Sequence, residues 1–389
     1  MRHGREHIPR AGLTRHRTAI SRARVTTIVA PPGGGKSALL GQLAGDEDPV
    51  TIVPMALTGL ENDPIRFKLS LGRALAEALP TLGWDVELPP RPGDPADLAA
   101  AIAARARPDR PFAIAVDDAH VLTAAEVYDA MAHVIATFPE DVRFVLATRR
   151  APDLDLARLR VEGGVHDLSG VDLAFDADEV RALAASSRVA IGEGGVERIL
   201  DETAGWPAGV SAMMHEPRRW RAALDELLEQ LVVPALSATA RDFAEEAAFA
   251  ADLGPETLDA VRESADSVDL LDLLDRGVPL PQAVDGEGVR RLPHAVARHF
   301  RKRLERRDPG RAARLAARAA ALSSAVPLTL REREVLARLG GDATAARIAA
   351  ELGVSYHTVK AHQRSLYAKL GVATRTAAVS RATTLGLLP

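Results

Sequence analysis

A run of β-branched and small residues, Val25-Thr-Thr-Ile-Val-Ala30, passes directly into Pro31-Pro-Gly-Gly-Gly35 and then Lys36-Ser37-Ala38-Leu39-Leu40. Strand, glycine loop and helix start in sixteen residues leave few folds open. The strand must be buried, the loop must sit at its C-terminal end, and the helix must cover the sheet. The loop fits G-x-x-x-x-G-K-[ST] except that Ala30 takes the place of the first glycine. Its physics survives that change. Gly33, Gly34 and Gly35 let backbone N–H groups approach phosphate oxygens, and the helix N-terminus running through Lys36, Ser37 and Ala38 adds positive potential. Lys36 is placed for the β- and γ-phosphates and Ser37 for Mg²⁺. Alone, the loop admits a motor, a kinase or a switch.

Further strand-like runs follow at Val50 to Pro54, Phe112 to Asp117, Val142 to Thr148 and Val165 to Leu168, separated by Ala/Leu-rich helical patterns. That alternation predicts a parallel sheet covered by helices. Phe112-Ala-Ile-Ala-Val-Asp117-Asp118-Ala-His120 sets two carboxylates at a strand's C-terminal end. Asp117 suits Mg²⁺ coordination with Ser37, and Asp118 suits orientation of a water. Phe144-Val-Leu-Ala-Thr148 ends in Arg149, a candidate γ-phosphate sensor, with Arg150 as the alternative. The catalytic set is therefore Lys36, Asp117, Asp118 and Arg149. Breakers at Leu88 to Pro95 mark a surface loop. From about residue 175 the pattern turns helical, and strand character returns only at 278–284 and 289–292, around the turn signal Asp285-Gly-Glu-Gly288. Helices, a hairpin and another helix from His294 to Leu304 read as a winged helix.

The charge is uneven. Residues 327–389 hold nine Arg/Lys against four Asp/Glu, a charge of +5 in a chain of −4, so the remainder is −9. A basic module on an acidic body points to double-stranded DNA as a partner. No apolar run approaches the roughly 18 residues of a bilayer span, so no membrane partner is expected. The chain has no cysteine, which excludes disulfides and thiolate metal sites and suits a reducing cytoplasm. Of 49 basic residues only five are lysines, and three of these, Lys36, Lys360 and Lys369, fall inside motifs.

The basic module carries four helix-start signals. Thr329 with Glu332 makes a capping box, and Thr344, Ser355 and Thr374 cap three more helices, while Gly340, Gly353, Gly371 and Gly386 end them. The second and third helices, joined at Gly353-Val354, form a helix-turn-helix. On the third, Val359, Leu366 and Leu370 share a buried face, and His357, Lys360, Ala361 and Arg364 share the opposite one at i, i+3, i+4, i+7. Lys360 and Arg364 favour guanine and Ala361 a thymine methyl in the major groove. Thr358, Lys369 and Arg375 are expected at phosphates. His362 is open between packing and contact.

Residues 327–389 resemble the LuxR-type C-terminal DNA-binding domain. The phosphate loop with Asp117-Asp118 resembles the ATPase of the large ATP-binding LuxR regulators, which are STAND NTPases. Ile8-Pro9-Arg10, Glu61-Asn-Asp-Pro64-Ile-Arg-Phe67, Ala147-Thr-Arg149, Gly205-Trp206-Pro207 and His294 agree with that family in order. By residue type alone, Trp206 reads as core packing and His294 as an ordinary helix residue. The resemblance instead implies that Pro207 packs against the nucleotide and that His294 contacts the β-phosphate of bound ADP. It also implies the domain plan: a basic arm at 1–24, a P-loop NTPase domain at 25–172, a helical lid at 173–228, a winged helix at 229–305, a linker helix at 306–326 and the helix-turn-helix domain at 327–389. The fold class is multidomain α/β plus α.

The sequence departs from the family pattern at Pro32 and Gly34, and only residues 306–326 separate winged helix from helix-turn-helix, where such regulators carry a long helical-repeat sensor. The expectation is a cytoplasmic transcription regulator, an activator, that binds ATP/ADP with Mg²⁺, self-associates in the ATP state and works with RNA polymerase. The alternative is an ATPase doing mechanical or enzymatic work, tethered to DNA by the C-terminal module.

Overall fold

The computed structural model describes residues 10–44, 50–80, 95–104, 112–192, 194–284, 288–324, 328–340, 343–385 and 387–388. The chain divides into two compact units, one of residues 1–237 with 273–281 and one of residues 238–272 with 282–389.

The first unit is built on five parallel strands in the order β2-β3-β4-β1-β5. They are β1 (Val25–Val29), β2 (Thr51–Ala56), β3 (Phe112–Asp117), β4 (Val142–Thr148) and β5 (Val165–Ser169). The sheet is covered by α1 (Ala11–Arg22), α2 (Lys36–Leu43), α3 (Pro64–Ala78), α4 (Pro95–Ala103), α5 (Ala125–Thr137) and the short α6 (Ala157–Val161). The period of two in β3 explains the layering. Phe112, Ile114 and Val116 point into the larger core with Phe67 and Leu71 of α3 and Val127 and Met131 of α5. Ala113 and Ala115 point the other way, into a core with Leu13 and Ile20 of α1 and Leu39 and Leu40 of α2. Small residues on that face let α2 lie close against the sheet, which sets the glycine loop over the C-terminal strand ends. Strand β4 lies between β1 and β3.

Four more helices among the described residues follow in this unit: α7 (Ala177–Ser186), α8 (Gly195–Thr203), α9 (Pro207–His215) and α10 (Trp220–Leu227). Asp176 caps α7 in a reciprocal capping box with Glu179.

The second unit contains α11 (Ala238–Ala247), α12 (Pro255–Arg262), the first half of α13 (Ser267–Arg276), the hairpin of β6 (Ala283–Val284) and β7 (Arg290–Arg291), α14 (His294–Arg307) and α15 (Pro309–Ser324). The paired strands are two residues each, much shorter than the runs 278–284 and 289–292 suggest. Pro279 and Pro281 have no N–H to donate to a ladder, so pairing begins only after them. Three residues of the expected turn, 285–287, and the breaker-rich segment up to Gly93-Asp94 lie outside the described residues.

The C-terminal helices are α16 (Leu330–Leu339), α17 (Ala345–Leu352), α18 (Tyr356–Leu370) and α19 (Arg375–Thr384). Thr329, Thr344, Ser355 and Thr374 each accept a hydrogen bond from the N–H three residues on, as their spacing predicts. Gly353 and Gly371 terminate α17 and α18 in the left-handed conformation, and Gly386 lies outside the described residues. Val335, Leu336, Ile348, Val359, Leu366 and Ala378 form the core of this four-helix module.

Glu332 on α16 is bonded to two residues of α18. Its side chain is 3% exposed, caps the Thr329 N–H at 2.7 Å, and takes hydrogen bonds from Ser365 Oγ at 2.6 Å and Lys369 Nζ at 2.7 Å on α18. Burial alone would raise its pKa, but the bonds from Lys369, Ser365 and Thr329 pull it from 4.5 down to about 2. A carboxylate depressed in the folded state adds stability above its ordinary pKa and loses it as pH falls toward the folded value. Glu332→Gln should therefore destabilise the module by about 2 kcal/mol at neutral pH, through the lost charged bonds and weakened cap. In the native chain the same loss should develop as pH drops from about 4.5 toward 2. Amide hydrogen exchange across α16 and α18 measures both, and exchange in Glu332→Gln equal to native at pH 7 would refute the role.

Candidate nucleotide site and DNA-reading face

The loop between β1 and α2 is the centre of the first unit's candidate site. The first turn of α2 has no side-chain cap, so its N–H groups are left for a ligand. Lys36 is 7% exposed, and its Nζ turns back onto the loop carbonyls of Ala30 at 2.7 Å and Pro31 at 3.1 Å. Burial lowers its pKa from 10.5 to about 8; the charge of Arg149 adds to the shift, and Asp117 and Asp118 oppose it. An ammonium held among neutral carbonyls in this way is poorly neutralised, which favours an anion.

Ser37 Oγ donates to Asp117 Oδ2 at 2.7 Å across 80 residues of sequence. A hydroxyl and a carboxylate, both hard oxygen donors at the end of β3, fit Mg²⁺. The other Asp117 oxygen accepts from the N–H of Asp118 at 2.9 Å. Asp118 adopts a left-handed backbone, φ 54°, which turns its half-exposed carboxylate out of the strand direction. His120 Nδ1 stands 3.5 Å from Asp118 Oδ1, and burial, then the charge of Arg149, lowers the imidazole's pKa. Of the two arginines after β4, Arg150 is committed to the Leu122 carbonyl at 2.5 Å. The charge of Arg149 acts on both Lys36 and His120, and that of Arg150 also acts on His120.

Gly205-Trp206-Pro207 meets the loop from the other side. Trp206 Nε1 donates to Pro32 O at 3.0 Å, and the Ala208 N–H donates to Gly33 O at 3.0 Å. Pro207 occupies the first position of α9, where a missing N–H costs nothing, and the next N–H, unsatisfied within the helix, finds Gly33. Pro207 also faces Gly35, since a Cβ there would come 3.3 Å from its Cγ. Gly33 has φ 70°, and a Cβ on it would meet Ala208 Cβ at 2.5 Å. Gly205 has φ 73°, and a Cβ on it would lie 2.2 Å from Phe175 O. Trp206 is buried, so core packing and loop contact are the same interaction.

Arg10, which residue type alone leaves without a role, ties this arrangement together. It donates to Glu179 Oε2 and to the carbonyls of Leu173 and Ala174, each at 2.8 Å, and stacks 4.1 Å from the Phe175 ring centroid. Its partners lie 163 to 169 residues away, which is why no local pattern reveals them.

The loop residues, Lys36, Ser37, Asp117, Asp118, Arg149 and Pro207 thus come together in the first unit. His294 opens α14 in the second unit and is exposed. On α18, Lys360, Ala361 and Arg364 lie exposed on one face, Thr358 is half-buried beside Ser355, and His357 falls on the same helix. Exposed Tyr356 extends that face, with Lys360 Nζ 5.9 Å from its ring centroid. Lys369 and Arg375 are already engaged inside the module, Lys369 with Glu332 and Arg375 with the carbonyls of Leu339 at 3.2 Å and Ala343 at 2.6 Å. Any phosphate contact expected of these two must be shared with those bonds. His362 is half-buried.

Trp206→Phe deletes the indole N–H bond and shrinks a buried ring, so it should loosen the contact between α9 and the loop by at least about 1 kcal/mol. Gly205→Ala, sterically excluded, should cost at least about 2 kcal/mol. Hydrogen exchange at residues 205–210 reads both changes, and protection unchanged in Gly205→Ala would refute the tight seat.

Residues 326–382 match the GerE model, described as bacterial regulatory proteins of the luxR family. The HTH-type transcriptional regulator MalT of Yersinia enterocolitica is 25% identical over 219 residues, 55% of this chain and 24% of that relative. MalT of Cronobacter sakazakii is 25% identical over 217 residues, 54% of this chain and again 24% of the relative. The chain thus matches about a quarter of the length of these curated relatives. Among solved structures, a STAND protein with a tetratricopeptide repeat sensor from Pyrococcus horikoshii aligns at 15% identity over 94% of this chain and 54% of that one, with a TM-score of 0.41. RuvB of Thermotoga maritima aligns at 18% identity over 74% and 91%, with a TM-score of 0.32. The fold of the first unit rests on its own strand order, glycine loop and strand-end carboxylates. The chain therefore carries a luxR-family regulatory helix-turn-helix at its C-terminal end, behind an α/β unit with the phosphate-loop NTPase fold.

Proposed function

We propose that this is a transcription regulator whose DNA binding is controlled by the nucleotide held at the phosphate loop. The observation that carries the reading is the pair of hydrogen bonds from Trp206 and Ala208 to Pro32 and Gly33. A lid bonded to the loop that cradles phosphate is thermodynamically linked to whatever that loop holds. A Mg²⁺-bound nucleotide supplies concentrated negative charge and, as a triphosphate, a scissile anhydride. In this reading the N–H groups of residues 33–38 and Lys36 bind the phosphates, and Ser37 and Asp117 hold Mg²⁺. Asp118 orients a water, Arg149 senses the terminal phosphate and Pro207 packs on the nucleotide. The nucleotide role of His294 stays part of the proposal, as do the domain limits given above.

ADP and ATP would favour different lid positions, with ATP promoting self-association and slow hydrolysis resetting the state. Paired helix-turn-helix modules would then hold DNA more tightly than one. Recruitment of RNA polymerase, activation and a cytoplasmic location complete the proposal; no helix among the described residues is long and apolar enough to cross a membrane.

Two measurements test it. Protection of operator DNA, selected from random sequence with the purified chain, should differ between ATP and ADP, and Lys36→Ala should abolish the difference while leaving the helix-turn-helix folded. Identical footprints in the two nucleotides would sink the coupling. Arg364→Ala, removing a side chain from the exposed face of α18, should weaken specific binding by about 1–3 kcal/mol. Equal affinity for the selected site and for random DNA in the native chain would refute the reading face.

A further inference from the structure

The second unit contains a cleft of about 630 Å³ that shares only Lys369 with the residues given roles above. That volume lies within the range of small-molecule sites. Its apolar lining includes Phe249, Val261 of α12, Ala316 of α15, Leu370 at the end of α18 and Leu385 after α19. The charged groups facing it are Glu256, Arg301, Glu305, Lys369 and Arg381.

These charges are not equivalent. Lys369 is paired with Glu332 at 2.7 Å, and Arg381 is paired with the buried Asp252. Arg301 donates its Nε–H to the Ala248 carbonyl, a neutral acceptor, and makes no ion pair among the described residues. Protein crowding lowers its pKa, and only the charge of Glu305, one turn further along α14, opposes that shift. Its guanidinium sits 5.7 Å from the centroid of Phe249, at the apolar lining of the cleft, and keeps an outer face open to solvent. A planar cation with free terminal N–H groups beside an aromatic and aliphatic surface matches one ligand chemistry, a carboxylate on an apolar body.

We propose that this cleft binds a small amphipathic carboxylate, and that occupancy steadies the C-terminal end of α18. Lys369 and Leu370 line the cleft, while Tyr356, Lys360 and Arg364 lie five to fourteen residues earlier on the same helix. Fifteen residues of helix span about 22 Å, so one rigid element joins the two places. The binding step is independent of the nucleotide reading and is measured without ATP, ADP or DNA.

The full chain is titrated with 1-anilinonaphthalene-8-sulfonate, an amphipathic anion, and then with octanoate or octanamide as competitor. One saturable site is expected, emptied by octanoate at concentrations where the neutral amide leaves it filled. Arg301→Met should weaken probe binding about tenfold or more, as for loss of a charged hydrogen bond. Ala316→Trp, at an exposed helix position lining the cleft, should abolish it while circular dichroism stays native. Equal displacement by the amide, or native binding by both variants, overturns the site. Saturating octanoate should then shift the affinity of nucleotide-free protein for its selected DNA at least severalfold, and not that of Ala316→Trp. Intact probe binding with unchanged DNA affinity overturns the link to α18, and leaves the footprint comparison of ATP with ADP as a separate question.

Discussion

Two backbone carbonyls, those of Pro32 and Gly33, decide how the first unit is arranged. Each would point into solvent on a bare phosphate loop, yet each accepts a hydrogen bond from the start of α9. Two such bonds are together worth about 2 kcal/mol, a modest sum against the stability of a domain. They nevertheless fix sequence elsewhere: Gly33 tolerates no Cβ because Ala208 is there, and Gly205 tolerates none because Phe175 is there. Arg10, distant in sequence but beside the loop, then holds Phe175 and Glu179 in place. A loop that only had to bind phosphate would need none of this.

The C-terminal module uses a different economy. Its helices are short, and four Ser/Thr caps satisfy their first turns. Glu332 adds what caps cannot, a bond between the first helix and the far end of α18. A buried carboxylate is expensive unless its oxygens are hydrogen-bonded, and here the Thr329 N–H and Lys369 donate to one oxygen and Ser365 to the other. The same three bonds explain the depressed pKa and the orientation of α18 on which an exposed Lys360–Arg364 face depends.

Much of this was legible in the sequence wherever the signal is local. β3 and β4 run over the residues their composition marks, because alternation of Phe, Ile and Val with Ala, and the dense apolar run at 142–148, have no other economical burial. The caps were legible because a side-chain oxygen reaches only three residues. The Ser37–Asp117 pairing follows from two strand ends in one parallel sheet. Contacts set by distant chain were not legible. Arg10 has no nearby partner, the Trp206 indole bond requires knowing what faces it, and Lys369 looks like any exposed basic residue until Glu332 is placed beside it. The hairpin was overestimated because apolar content was read without discounting the missing donors of Pro279 and Pro281.

These two kinds of contact also differ in what they permit. Bonds within a turn hold a helix in any arrangement of its neighbours. Bonds such as Trp206 to Pro32 within the first unit, or Arg381 to Asp252 within the second, each depend on one arrangement of distant chain and are lost when that arrangement changes. Arg381 of the second pair lines two clefts, of about 630 and 470 Å³, and Asp252 lines the smaller one. An ion pair beside open space makes fewer dispersion contacts than a packed core, so charge carries more of its geometry. The non-local contacts that were invisible in the sequence are thus the ones a ligand can act on, whereas the local ones keep each helix intact while it does so.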